Sequence, residues 1–181
     1  MENHLNENIV EITDSEILGI VIRIERQGSN FYREFAQHVT DPTVKEFLVC
    51  MAKEESQHEK QFEAMLSNKG KAVYGWEKEQ AVIDLIEKEF QTDIFPNIDE
   101  LFAQLPELES FEKAVDLAIE SEKVSAEFYS LLGDYCNNFE AKTLLVSMEK
   151  AERDHLLHVE ALKKQCLKKQ KNSRDKTDPL P

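Results

Sequence analysis

The chain has 181 residues, 41% of them hydrophobic, which suits one domain with a sizeable core. Its 36 acidic and 22 basic residues leave a formal net charge of −14, which argues against nucleic acid or an anionic membrane surface as partner. Five glycines and five prolines are few for a turn-rich β fold and favour long helices. The N-terminus, Met1-Glu2-Asn3-His4, is polar and reads as no secretory signal. The longest apolar run, Ile17 to Ile24, is short and interrupted by Arg23, so no membrane span is expected. Cys50, Cys136 and Cys166 are scattered and form no Cys-x-x-Cys pair. They suit free thiols in a reducing cytoplasm better than a disulfide framework or a zinc site.

Four long helical patterns follow in chain order. The first runs from about Asp14 to Val39, with Thr13 and Glu16 as a capping box and a stripe through Ile17, Val21, Ile24, Gly28, Phe31 and Phe35. The second runs from Pro42 to about Asn68, with Asp41 as N-cap, Pro42 at the first helical position and Gly70 as the stop. A connection over 69–109 carries two shorter patterns, Glu77 to Phe90 and Ile98 to Gln104. The third long helix spans about Phe111 to Cys136, capped by Ser110, and the fourth runs from after Asn138 to roughly Lys168. Residues 169–181 are charged, end in Pro-Leu-Pro and read as a disordered tail.

The two halves repeat. Glu55-Ser56-Gln57-His58 returns as Glu152-Arg153-Asp154-His155, and Glu25 and Glu122 each precede their motif by 30 positions (55 − 25 and 152 − 122). The offset is 97 (152 − 55), and it also maps Thr13 to Ser110, Asp41 to Asn138, Phe31-Tyr32 to Phe128-Tyr129 and Met51 to Met148. This pattern predicts an all-α four-helix bundle of two repeated antiparallel hairpins, 13–68 and 110–168, within one domain over 1–168. The connection, roughly 40 residues long, is expected to let the second hairpin pack in the same sense as the first.

Helical phase places the polar residues of the repeat inside. The core positions of the second helix read Val44, Leu48, Met51, Glu55, His58, Phe62 and Met65. The fourth reads Ala141, Leu145, Met148, Glu152, His155, Val159 and Leu162, interrupted at the same place. Glu25 and Tyr32, and Glu122 and Tyr129, lie on the core stripes of the other two helices. Four buried carboxylates need compensation or they take up protons. Two metal ions provide it, because Glu at i and His at i+3 share a helix face and reach one ion. Glu25 and Glu122 then bridge or cap from the opposite helices. Oxygen donors with one imidazole per ion suit iron or manganese better than structural zinc. Tyr32 and Tyr129 are expected to hydrogen-bond ligand carboxylates. Glu54, Glu59 and Glu149 fall off the core phase and are expected on solvated faces.

Ile24-Glu25-Arg26-Gln27-Gly28-Ser29-Asn30-Phe31-Tyr32 and the run from Ile119 to Tyr129 resemble the first- and third-helix motifs of rubrerythrins, in the ferritin-like di-iron superfamily. The resemblance covers about 13–166. It implies a ferritin-like bundle whose Glu25, Glu55, His58, Glu122, Glu152 and His155 bind two iron ions, with manganese or zinc as substitutes. It implies reduction of hydrogen peroxide, or of dioxygen, by a homodimeric protein in oxidative-stress defence, or alternatively iron storage without turnover. Two departures stand out. Rubrerythrins proper carry a rubredoxin domain with two Cys-x-x-Cys pairs, absent from these residues, so an external electron-donor protein is expected. They also carry an extra glutamate where this chain has Ser125, whose mirror is Gly28.

Overall fold

A computed structural model describes residues 13–67, 74–76, 79–89, 95, 97–104 and 107–174. Among them lie six helices and no strand: α1 (Asp14–Phe35), α2 (Pro42–Ser67), α3 (Gln80–Glu89), α4 (Ile98–Gln104), α5 (Glu107–Tyr135) and α6 (Phe139–Arg174). None of these helices is long and apolar enough to cross a membrane. The caps explain most of the boundaries. Thr13 Oγ1 accepts the Glu16 amide at 3.3 Å and Glu16 Oε2 accepts the Thr13 amide at 2.8 Å, which starts α1. Asp41 Oδ1 accepts the amides of Thr43 and Val44, and Asn138 Oδ1 accepts that of Ala141, so the second helix of each hairpin starts alike.

Three boundaries differ from the sequence expectation. α1 ends at Phe35 rather than Val39, because tight turns (Gln37 N–H to Glu34 O, His38 N–H to Phe35 O) unwind the chain before β-branched Val39 and Thr40. α5 begins at Glu107, so Ser110 lies inside the helix instead of capping it; Glu107-Leu108-Glu109 are good helix formers. α6 continues to Arg174, six residues past Lys168, through Lys169-Gln170-Lys171-Asn172-Ser173-Arg174, which hold no glycine or proline. The first part of the expected disordered tail is thus helical. Residues 175–181 and Gly70 lie outside the described residues.

α1 pairs with α2 and α5 with α6, as short connections require, and the hairpins meet through α2 and α6. Their relative sense corrects the expectation. Tyr32 of α1 meets Glu122 of α5, while Tyr129 of α5 meets Glu25 of α1. Positions therefore rise along α1 as they fall along α5, and the second hairpin is inverted against the first. The 97-residue repeat is a pseudo-twofold whose axis runs across the helices. α2 and α5 consequently run in the same direction, and the crossover has to travel the length of the bundle. It does so along the apolar surface. Val82 and Ile86 of α3 bury themselves in the cluster around Ile17, Phe62, Leu132 and Leu145 at one end. Phe95 and Ile98 enter the cluster around Phe35, Leu48, Val115 and Val159 at the other.

Two contacts pin the crossover where it leaves α2. The buried Trp76 indole N–H donates to Leu132 O at 2.8 Å, and the carbonyl of Tyr74, whose ring stacks on Trp76, accepts the Asn137 amide at 2.9 Å. Between them Gly75 has φ +94°, and a Cβ there would stand 2.4 Å from Asn137 Nδ2, so the position requires glycine. Trp76→Ala removes a fully buried ring and its hydrogen bond. It should cost about 3–5 kcal/mol of unfolding free energy, measured by urea denaturation of the metal-free protein.

Candidate metal centre

The two apolar clusters are separated by a polar layer at mid-bundle. Glu25, Glu55, His58, Glu122, Glu152 and His155 all lie there, none more than 8% exposed. All six residues singled out by the repeat are thus brought together. α1 and α5 contribute one glutamate each, and α2 and α6 contribute a Glu and a His one turn apart.

The geometry follows the pseudo-twofold. His58 Nδ1 lies 3.3 Å from Glu25 Oε2, 3.3 Å from Glu152 Oε1 and 3.6 Å from Glu55 Oε2. His155 Nδ1 lies 3.5 Å from Glu122 Oε2, 2.9 Å from Glu55 Oε1 and 3.6 Å from Glu152 Oε2. The rings face each other nearly parallel with centroids 5.7 Å apart. Two quartets result, Glu25–Glu55–His58–Glu152 and Glu55–Glu122–Glu152–His155, each with ligand atoms within 4.8 Å of one another. Glu55 and Glu152 belong to both. Glu55 and Glu152 would thus be placed to serve two ions, while Glu25 and Glu122 each belong to one quartet, as capping rather than bridging ligands would.

The donor set fits cations. One atom of each residue is buried without a hydrogen-bond partner: Glu25 Oε2, Glu55 Oε1, His58 Nδ1, Glu122 Oε2, Glu152 Oε1 and His155 Nδ1. Some approach each other to ion-pair distance, as His155 Nδ1 does to Glu55, yet none has hydrogen-bond alignment. Six orphaned donors converging on one layer would be costly in a metal-free core. They match a site for two ions.

The second oxygens of the capping glutamates are held across the bundle. The Tyr32 hydroxyl donates to Glu122 Oε1, and the Tyr129 hydroxyl donates to Glu25 Oε1. Both phenols are fully buried. Burial and the adjacent carboxylates, Glu122 for Tyr32 and Glu25 for Tyr129, push their pKa values well up, so they stay protonated donors. Each tyrosine rises from a different apolar cluster, Tyr32 from one and Tyr129 from the other, so each anchor is rigid at its base.

The protonation balance is strained without cations. Burial, reinforced by Glu152, pushes the Glu25 carboxyl well above its usual range, and burial does the same to Glu122. Burial alone would lower His58, but contact with Glu152, Glu25 and Glu55 pushes it up to about 12. His155 rises for the same reason, through Glu122, Glu152 and Glu55. Glu55 is drawn down to about 2: burial opposes this, and contact with His155 and His58 prevails.

Two neighbours escaped the sequence reading. Glu54, expected on a solvated face, is 47% exposed at its side chain but places Oε2 2.9 Å from His155 Nε2. Glu59 and Glu149, also expected on solvated faces, are part-buried, their side chains 17% and 25% exposed, and pair with Arg26 and Arg153. Phe95 packs its ring against Gly28, where a Cβ would stand 3.2 Å from that ring and 3.3 Å from Glu55 Cγ. Glycine at 28 thus lets the crossover close over the layer. The absence of a side chain at 28 was visible in the sequence, but its tenant was not.

Metal binding should release protons, because His58 and His155 hold them at neutral pH and a ligating Nδ1 must be free. Affinity should therefore fall as pH falls, with about two or more protons released per pair of ions; calorimetry in buffers of different ionisation enthalpy measures the number. The shared glutamates should also differ from the capping ones. Glu25→Ala should retain one ion per chain, whereas Glu55→Ala should lose tight binding of both, as read by metal content after gel filtration.

The comparisons agree with the helical fold. The chain resembles the solved structure of a candidate ferritin-like diiron-carboxylate protein from Thermotoga maritima at a TM-score of 0.66 and 24% identity, over 86% of this chain and 97% of that one. It resembles a hypothetical protein from Pyrococcus furiosus at a TM-score of 0.67 and 24% identity, over 85% of this chain and 90% of that one. At that identity the likeness speaks for the fold. No curated protein matches the chain. The rubrerythrin family model matches residues 16–163, nearly the whole bundle with its crossover, and the chain belongs to the rubrerythrin family.

Proposed function

We propose that the chain is a di-iron carboxylate oxidoreductase of rubrerythrin type that reduces hydrogen peroxide, or more slowly dioxygen. The observation that carries this reading is the layer of six unpartnered donors from four helices. Glu25, Glu55, His58 and Glu152 would hold one iron, and Glu55, Glu122, Glu152 and His155 the other. Manganese or zinc would substitute. Bound as ferrous ions, the pair would supply the two electrons that take peroxide to water.

The chain's own residues do the rest. Glu55 and Glu152 set the spacing of the two positions, since each offers an oxygen to both quartets. Tyr32 and Tyr129 fix the far oxygens of Glu122 and Glu25 and hold a proton beside each. The apolar clusters above and below keep bulk water out, which strengthens electrostatic contacts within the layer. Electrons return from an external donor protein. We place the chain in a reducing cytoplasm as a homodimer, where Cys50 and Cys136 remain thiols.

Metal analysis of protein purified without added metal, then anaerobic loading with ferrous iron and a peroxide stopped-flow trace, tests the proposal. The expected result is two irons per chain, oxidised faster by peroxide than by dioxygen, and abolished in Glu152→Ala. Many irons per chain in a large assembly, with no peroxide turnover, would point to storage instead.

A further inference from the structure

The pseudo-twofold fails at Glu54, beside the layer. Both imidazoles turn Nδ1 toward the carboxylates, but His155 also has a carboxylate on its outer nitrogen, with Nε2 2.9 Å from Glu54 Oε2. The repeat makes position 151 the counterpart of Glu54 (54 + 97), and that residue is Ala151. A methyl group stands where a carboxylate would have to stand to serve His58 in the same way. The Glu54 carboxylate is itself held at its other oxygen, since the Cys50 thiol donates to Oε1 at 3.5 Å. Cys50 breaks the repeat too, its counterpart being Ser147. The His155 side chain is 4% exposed and that of His58 is 11%.

We propose that Glu54 is a positioning residue that makes the two metal positions unequal, the His155 position being the tighter. The inference rests on the two-ion reading of the layer and not on peroxide chemistry. A carboxylate that accepts the outer N–H of a ligating imidazole fixes the tautomer with Nδ1 unprotonated, sets the ring's orientation and raises its basicity. Loss of such a partner typically costs about 10–100-fold in metal affinity. Glu54 is half-exposed, so water weakens its contribution and the lower end applies, about tenfold. The first ion therefore enters the quartet of Glu55, Glu122, Glu152 and His155, and the second enters the quartet capped by Glu25.

Anaerobic titration of the metal-free full-length protein with cobalt(II), followed by calorimetry and by the paramagnetically shifted ring protons of the histidines, tests this. Wild type should bind two ions in two resolved steps, with the His155 signal shifting first. Glu54→Ala should still bind two, but the first step should weaken about tenfold and merge with the second. Glu54→Asp should restore part of the separation, which a loss of packing alone would not do. Ala151→Glu should tighten the weaker step and bring the two together at high affinity. Two equal steps in wild type, or a Glu54→Ala isotherm superimposable on wild type, would overturn the inference while leaving the two-ion site standing. A protein that binds no cobalt would sink the two-ion reading as well.

Discussion

The rest of the structure depends on a single constraint: four carboxylates and two imidazoles share one buried layer, and their unpartnered atoms point at one another. Like charges at these distances in a water-poor interior are costly, and partial protonation is the only relief the chain has by itself. The raised carboxyls of Glu25 and Glu122 and the raised imidazoles of His58 and His155 express that relief. It is incomplete, because shuffling protons among six groups still leaves six atoms without aligned hydrogen bonds. Two cations would satisfy all six at once. The apolar clusters on either side supply the stability against which such a layer can be held, and so the bundle is long, with the site near its middle.

The inversion of the second hairpin follows from the same constraint. A repeat related by an axis across the helices brings each Glu-x-x-His beside the other, so that Glu55 and Glu152 face both imidazoles. It also sends Tyr32 and Tyr129 to opposite sides of the layer, each reaching the capping glutamate of the other hairpin. The cost is topological. α2 and α5 run the same way, and a crossover must span the bundle. That crossover is turned to use, since α3 closes one cluster while Phe95 and α4 close the other. Gly28 is where the two requirements meet: a side chain there would push either on Phe95 or on Glu55.

Much of this was legible in the residues. The 97-residue offset and the phase of Glu55, His58, Glu152 and His155 placed the layer inside four helices, because helical periodicity says which face a side chain takes. Periodicity says nothing about how far one helix is shifted along its neighbour. The sharing of Glu55 and Glu152 between the quartets and the place of Glu25 and Glu122 in one each depend on that axial shift, and the inverted sense of the second hairpin depends on the path of the crossover. The helix ends were misjudged where propensity outran the cap, as at Ser110 within α5 and past Lys168 in α6. Glu54 was hidden for a related reason. One residue from Glu55, it leaves the helix about 100° away, which looks like a solvent face until α6 is laid beside α2.

That last point bears on how a symmetric fold comes to hold a less symmetric site. The repeat preserves what the layer needs on both sides: two capping glutamates, two shared ones, two imidazoles and two phenols. It diverges one step outward, at Glu54 against Ala151, at Gly28 against Ser125 and at Arg26 against Lys123. Arg26 reaches Glu59 at 2.6 Å, while the position matching Glu59 is Leu156, so that pairing has no mirror either. Residues that touch the orphaned donors are constrained twice, by their own hairpin and by its inverted copy. Residues that touch only the backs of the ligands answer to one side alone, and there the two halves can take on different tasks without disturbing the charge balance of the layer.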